Sequence, residues 1–114
     1  MYQLQDIYND TIFAFRDEAI FDRDDNKIGI ITNGKVCDLD GTPTRVTVEG
    51  ENVVWHGVNP GPVIGVPGFG NVVVETDSTA GKMVNLVGII VGASSNDERM
   101  IAAVAYWEFV ESRT

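Results

Sequence analysis

AIFDRDDNKIGIITNG (19–34) is followed directly by KVCDLDGTPTRVTVEG (35–50), and these two adjoining stretches decide the fold. They align end to end, so that Asp22 falls on Asp38. Each copy predicts a strand, an acidic turn, a second strand and a glycine turn. Asn33-Gly34 lies between two alternating apolar runs, which is typical of a type I′ hairpin because that turn requires positive φ at both central residues. Two copies are too few for a solenoid, so we interpret them as a repeated hairpin.

The pattern of short apolar runs and turns extends from Thr11 to His56. The runs are TIFAF, AIFD, KIGIIT, KVCDL, TRVTVEG and NVVWH. We therefore predict a mainly β, antiparallel meander of eight to ten strands that forms a small barrel or sandwich, in one β-rich domain covering residues 1–114. The N-terminal stretch has apolar residues at helical spacing and favours one short helix there; these residues are Leu4, Ile7, Tyr8 and Ile12.

The C-terminal third contains two long apolar runs, MVNLVGIIVGA and MIAAVAYWEFVES. The first is apolar on both faces, which suits a strand between layers or at a subunit interface. For the second run two structures remain open. Aromatic and β-branched residues favour a terminal hairpin in which Lys82–Val91 pairs with Met100–Val110, and this is our prediction. Ser95 and Glu98 form a capping-box pattern before several alanines, which favours a helix instead.

KVCDLDGTP (35–43) resembles the nucleophile motif of the haloacid dehalogenase superfamily of phosphotransferases. The resemblance implies a nucleophilic Asp38, a proton-transferring Asp40 and a bound magnesium ion. It is confined to this short motif, and the following PTRVTVEGENVVW is strand-like where the family has a helix. Because the repeat places both aspartates in a hairpin turn, we interpret them as turn residues and not as catalytic ones.

Metal and catalytic sites find little support in the sequence. Asp22, Asp24 and Asn26 match the first three ligands of a calcium loop, but Lys27 and Asn33 stand where that loop needs Gly and Glu. Cys37 and His56 are the only cysteine and histidine, which excludes an intrachain disulfide and any site that needs two imidazoles. We predict no catalytic residue, no metal and no cofactor.

The segment HGVNPGPVIGVPGFGNV (56–72) contains five glycines and three prolines. Proline has no backbone N–H for a sheet ladder, so we expect a long crossover loop. Long ordered loops are often functional. As the alternative function we predict a small-molecule-binding protein or enzyme whose pocket is roofed by residues 56–70. The ligand-binding candidates in this pocket are Trp55, His56, Asn59 and Phe69.

Charge and hydropathy limit the partners. The net charge is −9, from 17 acidic and 8 basic residues that form no basic cluster, so direct nucleic-acid binding is not expected. No apolar run is long enough to span a bilayer, and no signal peptide is visible, so we expect a cytoplasmic protein without a membrane partner. We favour an oligomeric binding or interaction module that forms a homo-oligomer. A protein partner with a basic surface is the second option.

Overall fold

The chain begins in the middle of its sheet. The computed structural model describes residues 1–44, 46–49, 52–55, 63–66, 70–77 and 82–110. In these residues the strands form one sheet, in the order β5-β4-β3-β2-β1-β10-β9-β8-β7-β6, and every pairing is antiparallel. The elements are Tyr2–Gln5 (β1), Thr11–Arg16 (β2), Ala19–Phe21 (β3), Lys27–Thr32 (β4), Lys35–Cys37 (β5), Val46–Glu49 (β6), Asn52–Trp55 (β7), Val63–Gly65 (β8), Val72–Asp77 (β9), Lys82–Val91 (β10) and Asn96–Phe109 (α1).

This architecture confirms the predicted mainly β, antiparallel meander. From β1 the chain moves outward one strand at a time to β5, crosses to β6 at the opposite end, and returns strand by strand to β10 beside β1. Asn33 and Gly34 have φ of 53° and 76°, as a type I′ turn requires, and they join β4 to β5 with Thr32 opposite Lys35.

In the described ranges the acidic turn occurs three times, not twice. Asp22 donates its backbone N–H to the Asn26 carbonyl, and the Asp25 N–H returns to the Asp22 carbonyl. The same two bonds recur at Asp38, as the alignment predicts, and also at Asp6, which precedes Asp22 by the same interval. The third residue after each aspartate has positive φ, with values of 67°, 65° and 88° for Asn9, Asp25 and Gly41. The repeat therefore begins near the N-terminus.

The sheet is curled around α1. Ten strands laid flat would be roughly 43 Å across, whereas a helix is only about 10 Å in diameter. Nevertheless α1 contacts β5 and β6, which are at opposite ends of the strand order, as well as β7 and β8. The two end strands must therefore both approach the helix. In the described residues an isolated bridge joins Cys37 of β5 to Pro43, in the segment that leads towards β6. The sheet is therefore curled and barrel-like.

The core lies between the helix and the inner face of the sheet. Alanines on α1 have no accessible surface, which lets the helix axis lie close to the strands; they are Ala102, Ala103 and Ala105. Gly29 has the same effect on β4, because an added Cβ would lie 2.6 Å from the Phe109 ring. Cys37 is a buried free cysteine, as its place in an apolar run predicts.

The predicted N-terminal helix is wrong. Tyr2–Gln5 is a strand that pairs with both β2 and β10, and Leu4 is fully buried between them. Ile7 and Tyr8 are exposed in the first acidic turn, so the helical spacing that they share with Leu4 is coincidental. Pairing on both edges of β1 stabilises an extended conformation that the local pattern does not specify.

The predicted terminal hairpin is also wrong, and the alternative is confirmed. Residues 96–109 form α1, with Ser95 as N-cap accepting a hydrogen bond from the Glu98 N–H. The capping pattern and the alanines therefore outweigh the aromatic content. No helix in the described part of the chain is long and apolar enough to cross a membrane.

The predicted loop at 56–72 requires a correction as well. Val63–Gly65 forms β8, which pairs with β7 on one side and β9 on the other, and Ile64 and Val66 are buried. Pro62 and Pro67 lie on either side of this strand in the sequence. The prolines therefore bound a short internal strand and do not prevent it.

Candidate interaction surfaces

The predicted ligand-binding residues fall largely outside the described part of the chain. Trp55 is the last residue of β7, where its backbone pairs with Val46. The side chain of Trp55 and the residues His56, Asn59 and Phe69 lie outside the part of the chain that the structure describes. A pocket roofed by residues 56–70 stays a prediction, now with β8 as part of that segment.

β10 is divided into two halves with different surroundings. Its partner β1 pairs only with Ile89, Ile90 and Val91. We call Val87–Val91 the inner half and Lys82–Leu86 the outer half. In the inner half, Val87 and Ile90 are buried in the core. In the outer half every residue is exposed, including three apolar side chains, Met83, Val84 and Leu86, at 57%, 58% and 40%.

The outer half is also an open sheet edge. β9 pairs with one side of it, from Lys82 opposite Asp77 to Leu86 opposite Val74. On the other side, β1 has already ended at Gln5, and no described strand replaces it. The register shifts between Met83 and Asn85, which disturbs strict alternation and leaves apolar side chains exposed on both faces. An exposed apolar edge of this kind is a template for strand pairing with another chain.

A second surface is the opening between the two end strands. Just before β6 begins, the Thr44 N–H donates to the Val36 carbonyl of β5 at 3.2 Å. Between these two strands and the first turns of α1 is a cleft of about 710 Å³, which we call the β5–β6 cleft. Apolar side chains form its floor and sides; they include Val36, Val46, Val48, Met100, Ile101 and Val104.

The rim of the β5–β6 cleft is polar. Asn33 and Lys35 border it on the β5 side, and Asn96 and Asp97 border it at the start of the helix. All four side chains are exposed. An apolar floor with a few polar groups at the rim is the usual composition of a binding cleft. The sequence does not predict this cleft, because its pattern favours a strand where α1 forms one wall.

The acidic turns use their carboxylates to hold the backbone. Asp22 Oδ1 accepts from the N–H groups of Asp24 and Asn26, both at 2.9 Å. The backbone N–H of Thr42 donates to Asp40 and holds the pKa of that carboxyl below its usual range. Among the described residues, no three His, Cys, Asp or Glu side chains are grouped as metal ligands. The backbone bonds at Asp38, the Thr42 bond to Asp40 and the antiparallel sheet support the interpretation of Asp38 and Asp40 as turn residues.

Glu98 holds the start of α1 beside the buried N-terminal strand. Its Oε1 accepts from the Ser94 N–H at 2.7 Å and from the Ser94 hydroxyl at 2.8 Å, and these bonds lower the pKa of the carboxyl. Nearby, burial and the Glu98 charge raise the pKa of Tyr2, whose ring is stacked on Phe15 with centroids 4.7 Å apart. Both groups therefore serve the structure of the core and the helix cap.

Two features stand out on the surface of the described residues: the exposed apolar side chains of the outer half of β10 and the β5–β6 cleft. No charged side chain is buried among these residues. Comparison of the chain with protein-family models, with curated proteins and with solved structures gave no match.

Proposed function

We propose that this protein is an oligomeric interaction module that associates through the outer half of β10. One observation carries the proposal: Met83, Val84 and Leu86 are exposed in a half of β10 whose second edge is paired with no described strand. An isolated apolar side chain on a surface needs no explanation, but several exposed apolar side chains on one strand with free backbone groups mark a contact site. Strand pairing would bury the side chains and satisfy the backbone groups together.

The partner that we propose is a second copy of this chain. A net charge of −9 makes two copies repel each other in general. However, none of the 17 acidic residues lies within Lys82–Val91, so that strand contributes no negative charge at the point of contact. Association through this strand should strengthen as salt screens the remaining repulsion.

Light scattering over a range of protein concentrations tests this proposal. We expect wild type to be multimeric and Leu86→Lys to be monomeric, because the lysine places a charge in the contact. Leu39→Lys is the matched control, since Leu39 is 58% exposed in the third acidic turn and far from β10 in the strand order. Leu39→Lys should keep the mass of wild type.

A wild-type protein that stays monomeric at high concentration and high salt would overturn the proposal. So would equal masses for Leu86→Lys and wild type when both are multimeric. Binding to a basic protein that weakens with salt, in a chain that is itself monomeric, would instead favour the partner with a basic surface.

A further inference from the structure

We infer that the outer half of one copy docks in the β5–β6 cleft of a second copy, so that the copies join head to tail. This inference rests on the proposed self-association and adds the surface that receives the strand. The two surfaces lie at different places in the fold, the outer half in the centre of the strand order and the cleft between its ends. Each copy therefore has one donor and one acceptor.

The size of the β5–β6 cleft suits one extended chain. A four-residue strand such as β6 is about 13 Å long, and a strand in a layered sheet occupies about 4.8 Å by 10 Å in cross-section, or roughly 620 Å³ in all. The cleft volume of about 710 Å³ is of the same order. The cleft therefore has about the volume that one short strand needs.

The chemistry of the two surfaces is complementary. The outer half has apolar side chains on both faces, so an apolar group meets the cleft floor whichever face is turned inward. Val48 on β6 is 51% exposed beside the cleft and would be covered by the docked strand. Among the described strands β6 pairs with β7 alone, and an added strand would pair with its other edge.

Charge also favours this contact. The donor strand carries Lys82 and no acidic residue, while its neighbour β9 carries Glu75 and Asp77. Lys35 and Asp97 stand at the rim of the cleft. The rim thus offers an anion to the lysine of the donor strand and a cation to the acids of β9.

This contact joins two different surfaces, so it does not close on itself as a two-fold dimer does. Heterologous contacts form rings or open filaments. We therefore expect wild type to form species larger than a dimer of the 12.4 kDa chain. Pairing of two outer halves with each other would stop at the dimer.

Two half-blocked variants test the inference. Leu86→Lys disables the donor and leaves the cleft intact, whereas Val48→Lys blocks the cleft and leaves the donor intact. Each variant alone should be monomeric in light scattering. An equimolar mixture should form a complex of twice the chain mass and no larger, because only one productive contact remains. As the control, Leu39→Lys replaces one of the two variants in the mixture. This mixture should form assemblies of more than two chains.

The outcomes separate this inference from the proposed function. If Val48→Lys alone is as multimeric as wild type while Leu86→Lys is monomeric, the outer halves pair with each other, and only the inference is overturned. If Leu86→Lys does not change the mass of wild type, the proposed function is overturned as well. Circular dichroism checks that both variants fold. Val48→Ser repeats the test without placing a charge in the contact. If the mixture of Leu86→Lys with either Val48 variant stays monomeric, cleft docking is contradicted.

Discussion

Both halves of β10 are rich in apolar residues, but their surroundings differ. The inner half is paired with β1 through Ile89, Ile90 and Val91 and also with β9, and it places Val87 and Ile90 in the core. Lys82–Leu86 continues the same strand past the end of β1 and is exposed throughout. The comparison teaches that hydrophobicity alone does not place a segment in a core. The length of the neighbouring strand, which ends at Gln5, decides where burial stops.

We expect the largest change in stability from a substitution at one of two adjacent isoleucines in β10. Ile89 is 39% exposed and Ile90 is 2% exposed. We expect Ile90→Asp to lower the free energy of unfolding by about 4 kcal/mol, because it buries a carboxylate without a partner. Ile89→Asp places the same charge at the surface and should change stability far less. Chemical denaturation at low protein concentration measures both, and equal losses would contradict the assignment of faces.

The boundary between the halves can be tested at Gly88. A Cβ added there would overlap the Gln5 carbonyl oxygen. Gly88→Val must therefore push β1 away or break its pairing, and we expect a loss of about 3 kcal/mol in the free energy of unfolding. Asn85→Val adds the same side chain in the exposed outer half and is the control. A Gly88→Val protein as stable as wild type would show that β1 does not approach β10 as described.

Two valines sharpen the comparison further. Val87→Ala removes two buried methyl groups and should lower the free energy of unfolding by about 2 kcal/mol. Val84→Ala makes the same change in the outer half, where we expect the free energy of unfolding of the monomer to fall by less than about 0.5 kcal/mol. Light scattering should show the reverse order, with association weakened by Val84→Ala and kept by a folded Val87→Ala. Weaker association from Val87→Ala alone would contradict the division of β10.

The smallest expected effect depends on pH and concerns the helix that completes the core. The pKa of Glu98 is lowered in the folded chain, so its stabilising effect is present above the ordinary pKa of glutamate and is lost as the pH falls through the lowered value. Glu98→Gln should cost less than about 1 kcal/mol at neutral pH, since solvent screens this group.

The difference in the free energy of unfolding between Glu98→Gln and wild type should disappear in acid, because Glu98 of wild type is then protonated and uncharged. Unfolding measured from neutral to acidic pH tests this, with Asp97→Asn as a control for charge near the same helix end. If the two variants behave alike, the helix dipole and not the bonds to Ser94 explains the effect. A constant difference at all pH values would contradict the role of the carboxylate.

The sequence by itself determined the meander, its turns and part of the helix. Asn33-Gly34 and the acidic turn at Asp22 are local signals, because their backbone conformations depend on a few neighbouring residues. The capping box at Ser95 is local too, although the strand propensity of the residues that follow favours a different structure. The residues around Asp6 differ from those of the other two copies, so that only the equal spacing of Asp6, Asp22 and Asp38 marks this copy in the sequence.

Tertiary structure alone decided which apolar segments are buried and where the candidate surfaces lie. β1 is extended because β2 and β10 pair with both its edges, and β10 is half exposed because β1 is short. The β5–β6 cleft exists because residues from opposite ends of the strand order meet α1. These features depend on contacts between residues far apart in the chain, and no local pattern encodes the position of a distant strand edge.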